Sequence, residues 1–395
     1  MRNYKTNTSG CNWPLRITNR AIRWGHTWLT VLVWLCQLVG MGLISQTAVS
    51  AQAPKLFEVD VPGGRLVGLP VHWGRYDAVV LESSGQMQFL EQADIQDHRT
   101  LAVDFQPQSV IEARLGLQSE LGSRYETVVF GPYVIAAPMG QAERWREQFS
   151  SLLAGYIRYF EVRRWPLRRP DFPLCVVVYA TRGEFVAYTN SQIRQLPSSV
   201  VGCYSPRSNR CALYNIDAPA ISARSAPSDA TVNWSETQAT IIHEAVHQLA
   251  YNTGLHERLS IDPLWFVEGL ASMFEQPKVY DLKQQSTLAQ RMLPDKCQRL
   301  QQLWQQPERI VPALEALVAS DDLFSSNPDL AYDFSWGMTF YLAERMPAEL
   351  RQFTSVLSQR PFGDYPKAQR VRDFKQVFGG DLSLLAGRMA RFYSE

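Results

Sequence analysis

Between residues 55 and 104 apolar and polar positions alternate in short runs: Leu56 to Val61, Gly64 to Val71, Ala78 to Glu82 and Met87 to Leu90. Alternation with a period of two predicts strands, and their regular spacing predicts a small β-barrel-like domain. From Pro107 the pattern becomes mixed. A helix is expected over Val110 to Glu120, a hairpin over Glu126 to Ala136, and a long amphipathic helix from Gln141 to about Arg163. Pro173 to Tyr179 is a continuous apolar run of strand length, and a helix is expected from Arg182. Strand-like residues before Cys203 and after Cys211 predict a second hairpin. Residues 217–231, rich in Ala, Ser and Pro, read as a flexible connection or a movable rim. Beyond residue 284 helical periodicity dominates, with Leu300, Leu303, Leu314, Leu317, Leu342 and Leu350 among the apolar positions. The expected class is α+β, divided into a β-rich domain over 55–104, an α/β subdomain over 105–283 and a helical subdomain over 284–395.

Composition adds size and partners. With 395 residues, 46% of them apolar, the chain can build two domains with full cores. A net charge of +1, with no basic tract and no aromatic-basic interleaving, argues against nucleic acid. Residues 1–53 have a different character. Arg2, Lys5, Arg16, Arg20 and Arg23 precede an apolar run from Trp28 to Ile44, and Ala48-Val-Ser-Ala-Gln-Ala53 follows. This is the layout of a secretory signal cleaved after Ala51 or Ala53; the alternative is an uncleaved anchor associated with the membrane. Either reading places the remainder outside the cytoplasm, in the periplasm, the cell envelope or the medium. Export permits disulfides, and the hairpin is expected to bring Cys203 and Cys211 face to face as a bridge. For Cys175 and Cys297, buried thiols and a bond are both open.

The chemistry sits in Ile242-His243-Glu244-Ala245-Val246-His247-Gln248. Two histidines four apart on a helix share a face about one turn apart, so both imidazoles reach one cation. This H-E-x-x-H pattern is that of zinc hydrolases, in which the glutamate takes a proton from a water activated by the metal. Apolar residues at Ala239, Ile242, Val246, Leu249 and Ala250 give the helix a core-facing stripe. Ser235 and Gln238 have capping-box spacing, and Gly254 supplies a stop. A core helix with two satisfied histidines is the bland alternative, but a glutamate between them at an interior would be costly. A catalytic zinc needs a third protein ligand. Asp262 and Pro263 are expected to start a second helix, Leu-Trp-Phe-Val-Glu-Gly-Leu-Ala-Ser-Met-Phe-Glu, in which Glu268 is the natural third ligand. Gly269 would let the two helices approach. His256 and Glu257 compete as ligands from the connection. His72 and His98 have no partner at metal spacing.

The His-Glu-Ala-Val-His sequence, with the glutamate of Trp-Phe-Val-Glu-Gly-Leu-Ala downstream, resembles the gluzincin clan of zinc metallopeptidases, to which thermolysin belongs. More closely, the chain resembles a bacterial family of gluzincin-type peptidases that carries a domain-of-unknown-function label. The matching segments are Phe172-Pro-Leu, Gly202-Cys-Tyr-Ser-Pro with Asn209-Arg210, His243 to Gly254, Pro263 to Glu275, Tyr332 to Leu342 and Phe374 to Gly380. The resemblance implies a thermolysin-like domain: a mixed sheet with an edge hairpin, the metal-binding helix, and a helical half forming the other wall of a cleft. It implies Zn²⁺ held by His243, His247 and Glu268, with Glu244 as general base and later proton donor. The hairpin from Val201 to Asn215 would hold the backbone of a peptide or protein substrate. Tyr332 resembles the position of an oxyanion donor, with Tyr251 and His256 as weaker candidates and a buried core tyrosine as the bland alternative. Thermolysin has an aspartate four residues beyond the third ligand, where this chain has Ser272. Support for the ligand histidines is therefore expected from Asp262, Asp333 or a backbone carbonyl.

The expected function is that of an exported zinc metallopeptidase. Two alternatives are an envelope binding protein with a structural or degenerate zinc site, and a zinc hydrolase acting on a non-peptide amide. A purely structural site has no need of Glu244, and the second alternative uses every residue named.

Overall fold

The structure, a computed structural model, describes residues 55–192, 200–214, 234–281 and 286–394. The targeting segment over 1–53 and the connection over 217–231 lie outside the described residues, as do the side chains of Trp234 to Thr237. Among the described residues no helix is long and apolar enough to cross a membrane.

The class is α+β, built on two five-stranded sheets. The first contains β1 (Lys55–Val61), β2 (Gly64–Trp73), β3 (Asp77–Leu81), β4 (Met87–Glu91) and β5 (Asp97–Asp104). It is wholly antiparallel in the order β4-β3-β2-β1-β5, which leaves β4 and β5 as its edges. Strand β5 is absent from the expected set, because its largely exposed Asp-His-Arg-Thr start carries no apolar alternation.

The second sheet has the order β6-β7-β8-β10-β9. Its strands are β6 (Tyr125–Phe130), β7 (Tyr133–Pro138), β8 (Leu174–Tyr179), β9 (Gly202–Ser205) and β10 (Arg210–Tyr214). The β8 pairings with β7 and β10 are parallel, and both outer pairs are antiparallel hairpins. Helices α1 (Val110–Leu121) and α3 (Arg182–Gln192) cover one face through Ala113, Leu117 and Phe185. Helices α2 (Ala142–Glu161) and α4 (Trp234–Thr253) belong to the larger core on the other face. Burial on both faces accounts for the uninterrupted apolar run of β8. A capping box between Ser109 and Glu112 starts α1.

Of the remaining helices, the first packs against α4 and the others build outward from it. They are α5 (Leu264–Phe274), α6 (Pro277–Tyr280), α7 (Pro294–Trp304), α8 (Pro307–Ala319), α9 (Asp322–Ser326), α10 (Pro328–Arg345), α11 (Pro347–Ser358), α12 (Lys367–Phe378) and α13 (Leu382–Ser394). Both α5 and α10 are buried all round, as central helices of a large core are.

Three expectations change here. Cys203 and Cys211 are not bridged. The hairpin register pairs Cys203 with Ala212 and Cys211 with Tyr204, one residue out of step. Side chains alternate between faces with a period of two, so the two sulfurs fall into cores on opposite sides of the sheet. Cys175 and Cys297 carry thiols as well, and burial pushes Cys175 up to about 11. Second, α5 begins at Leu264 with Pro263 as its cap residue, and the Leu264 N–H donates to Asp321 at 3.1 Å; Asp262 does not cap it. Third, Gly269 brings α5 against α10 instead of α4: a Cβ there would sit 2.2 Å from Thr339 Oγ1 and 2.3 Å from the Ser335 carbonyl oxygen.

Candidate metal centre

Helix α4 runs beside the edge strand β9 and ends at Gly254, whose φ of +87° suits a residue without Cβ. Its residues from Ile241 to Ala250 are all buried. His243 and His247 project one turn apart with ring centroids 4.6 Å from each other. Across from them α5 presents Glu268, one oxygen of which lies 3.2 Å from His243 Nε2 and 3.7 Å from His247 Nε2. The three donor atoms lie within 4.8 Å of one another, and all three residues are buried. Tetrahedral zinc with bonds of about 2.0–2.1 Å separates its ligand atoms by about 3.3 Å. Two imidazoles and a carboxylate at these separations could hold a metal ion, and the donor set is of the kind zinc takes.

The support for His243 comes from Glu275, whose Oε1 lies 2.8 Å from Nδ1. An Nδ1–H donated to that carboxylate leaves the Nε2 lone pair directed at the metal position. Glu275 is seven residues beyond Glu268, two turns along the same face, where Ser272 offers no carboxylate. Neither Asp262 nor Asp333 has this role. Asp262 lies 3.3 Å from His256 Nδ1 and accepts the Glu257 N–H, whereas Asp333 is held by both nitrogens of the Arg299 fork at 2.5 and 2.7 Å.

Without a metal these groups form a buried ion chain. Burial works to lower the His243 pKa, but the hydrogen bonds and charges of Glu268 and Glu275 outweigh it and hold the imidazole well above its ordinary value. Burial likewise works to raise Glu268 and Glu275. The imidazoles nevertheless keep both carboxylates below the usual range, with the Lys296 charge assisting at Glu275.

Glu244 differs. Burial pushes its pKa up, and the nearby histidines and a backbone hydrogen bond only partly oppose this. That bond comes from β9, where the Tyr204 N–H donates to Glu244 Oε2 at 2.8 Å. Gly202 makes the approach possible, since a Cβ there would lie 2.9 Å from Leu213 Cδ2 and 3.2 Å from Glu244 Cγ. Asn209 and Asn252 exchange side-chain hydrogen bonds, Tyr204 Oη donates to Asn209, and Gln248 donates to the Asn209 carbonyl, so the hairpin is tied to α4.

Residues 237–363 match a family described as "Protein of unknown function (DUF1570)". The match contains His243, His247 and Glu268, with Glu244 and Glu275, and it omits the first sheet and the β9–β10 hairpin. No curated protein matches the chain.

The other candidates are placed as follows. His256 is fully buried and packs on Tyr251 and Phe266, and Glu257 pairs with Arg168, so neither joins the ligand group. Burial lowers the His256 pKa, which favours the neutral ring. Tyr251 stacks on Tyr204 with centroids 5.6 Å apart. Tyr332, on α10, packs edge-on against Phe324, and Lys296 Nζ lies 5.8 Å from its ring centroid. In the first sheet His72 pairs with Asp77, and His98 clusters with Phe57 and Trp73.

Proposed function

We propose that the protein is an exported, zinc-dependent metallopeptidase of gluzincin type. The observation carrying this reading is the placement of Glu244. It is a buried carboxylate of raised pKa, held by a strand amide beside a His-His-Glu ligand set. A purely structural site needs no such group.

In this reading His243, His247 and Glu268 hold Zn²⁺, which when bound supplies Lewis acidity and makes water acidic enough to attack near neutral pH. Glu244 accepts the proton of the attacking water and delivers it to the leaving amine, and burial suits it to both steps by raising its basicity. Strand β9 borders the site as an edge, so its outward backbone groups can pair with an extended peptide. The family resemblance alone supports Tyr332 as oxyanion donor. A mixed sheet ending in an antiparallel edge strand, the ligand helices and a helical half supports the likeness to thermolysin. The antiparallel first sheet stands where the barrel-like domain is expected. The basic, apolar and small-residue order of residues 2–53 supports export.

The test is substrate profiling of the zinc-loaded protein against a peptide library and a panel of non-peptide amides, with chelation and zinc re-addition as controls. Peptide cleavage that chelation abolishes and zinc restores is expected. Turnover confined to non-peptide amides would replace the substrate class, and none on either panel would remove the enzyme reading.

A further inference from the structure

The first sheet is tied to the hairpin that borders the metal centre, and one side chain spans the junction. Arg258, in the connection between α4 and α5, donates from Nε and Nη2 to the Pro206 carbonyl at 2.8 and 2.6 Å, and from Nη2 to the Gly85 carbonyl at 2.5 Å. Pro206 lies in the β9–β10 turn, and Gly85 lies in the β3–β4 turn. Next to this, the Met87 N–H at the start of β4 donates to the Arg207 carbonyl at 2.8 Å. The β3–β4 turn is seated firmly. Gly85 has φ +85°, and a Cβ there would lie 3.0 Å from the Phe172 ring, while the Gln108 N–H donates to the Ser83 carbonyl at 2.7 Å.

Burial lowers the Arg258 pKa, and its hydrogen bonds go to backbone carbonyls. Withdrawing a guanidinium from water is unfavourable, and here its planar fork bridges two segments far apart in sequence. The hairpin it grips has a strand neighbour on one side only: β10 pairs with β8, and β9 is the sheet edge. An edge strand of four residues is the part of a sheet most prone to local opening. Two residues before Pro206 stands Tyr204, whose N–H holds Glu244.

We infer that Arg258 is a positioning residue, through which the β3–β4 turn fixes the tip of the β9–β10 hairpin and so the Tyr204 N–H against Glu244. The first sheet is then a brace for the reacting groups. The inference rests on the reading of Glu244 as the base.

The test compares full-length wild type with Arg258→Met and Arg258→Lys. Amide hydrogen exchange is followed over Gly202–Ser205 and, as an internal reference, over Tyr133–Pro138, together with zinc affinity and steady-state kinetics. Arg258→Met should speed exchange over Gly202–Ser205 by about tenfold, the loss of roughly one hydrogen bond's net stability. It should leave Tyr133–Pro138 and zinc affinity unchanged and lower kcat more than it raises KM. Arg258→Lys should recover part of each effect. Unchanged exchange over Gly202–Ser205, or a rise shared equally by Tyr133–Pro138, overturns the inference. If Arg258→Met does not fold, Arg258→Lys decides, since it keeps the charge and loses the fork. Exchange needs no turnover, so an inactive wild type would count against the peptidase reading alone.

Discussion

His243 has a carboxylate on each ring nitrogen, Glu275 at Nδ1 and Glu268 at Nε2. In the proposed function Glu275 fixes the ring and its tautomer, and Glu268 favours a proton on Nε2 in the metal-free protein that a metal would have to displace. Replacing Glu275 by Gln should weaken zinc binding by about 10–100-fold while leaving the stoichiometry at saturation unchanged. Chelator competition measures this, and affinity equal to wild type would remove the role assigned to Glu275. Removing the ligand itself is a larger change: Glu268→Ala should abolish stoichiometric binding at concentrations that saturate wild type. The proton adds a pH dependence. Because the metal-free His243 pKa is raised, the bridge stabilises the metal-free fold below the ordinary imidazole pKa, and that stabilisation fades as pH rises through the raised value. Zinc competes for the same nitrogen, so its apparent affinity should climb from about pH 6 to pH 8 and beyond. Flat affinity over that range would show that no such proton is displaced.

At the scale of elements, Gly269 makes a sharp prediction. A methyl group there would collide with the Ser335 carbonyl and Thr339 Oγ1 on α10. Gly269→Ala should therefore cost about 1–3 kcal/mol in denaturant unfolding, the usual cost of overpacking. A neutral substitution would mean that α5 and α10 separate easily. The glycine announces a close approach in the sequence, but its partner helix does not, because Ser335 and Thr339 of α10 lie far along the chain. The same contrast recurs elsewhere. The helix bearing the ligand histidines and the one bearing Glu268 were legible because apolar periodicity and Gly254 are local signals. Glu275 was legible by the same periodicity, two turns from Glu268, but the comparison with thermolysin directs attention to Ser272. Asp321 as the partner of the Leu264 amide had no local signal. The cysteine bridge failed on register: a hairpin sets two cysteines close in sequence, and a one-residue offset sends them to opposite faces. The hold on Glu244 is a backbone N–H, invisible to residue type, and Gly202 is its only trace in the sequence.

Across the whole molecule, the proposed metal would join α4, packed on the second sheet, to α5, packed in the helical half. A ligand that binds only the folded state adds stability by mass action, about 2.7 kcal/mol at a free concentration one hundred times its dissociation constant. Zinc should therefore raise the unfolding midpoint in wild type and fail to do so in Glu268→Ala. An equal shift in both would place the bound zinc elsewhere. The first sheet, the hairpin and α4 then form one continuous support that ends at Glu244, the residue on which the proposed chemistry turns. The decisive measurement is of bound zinc and peptide turnover together for wild type and Glu244→Gln. About one zinc per chain in both proteins, with turnover only in wild type, is the predicted result. Undiminished turnover in Glu244→Gln at full zinc occupancy would contradict it.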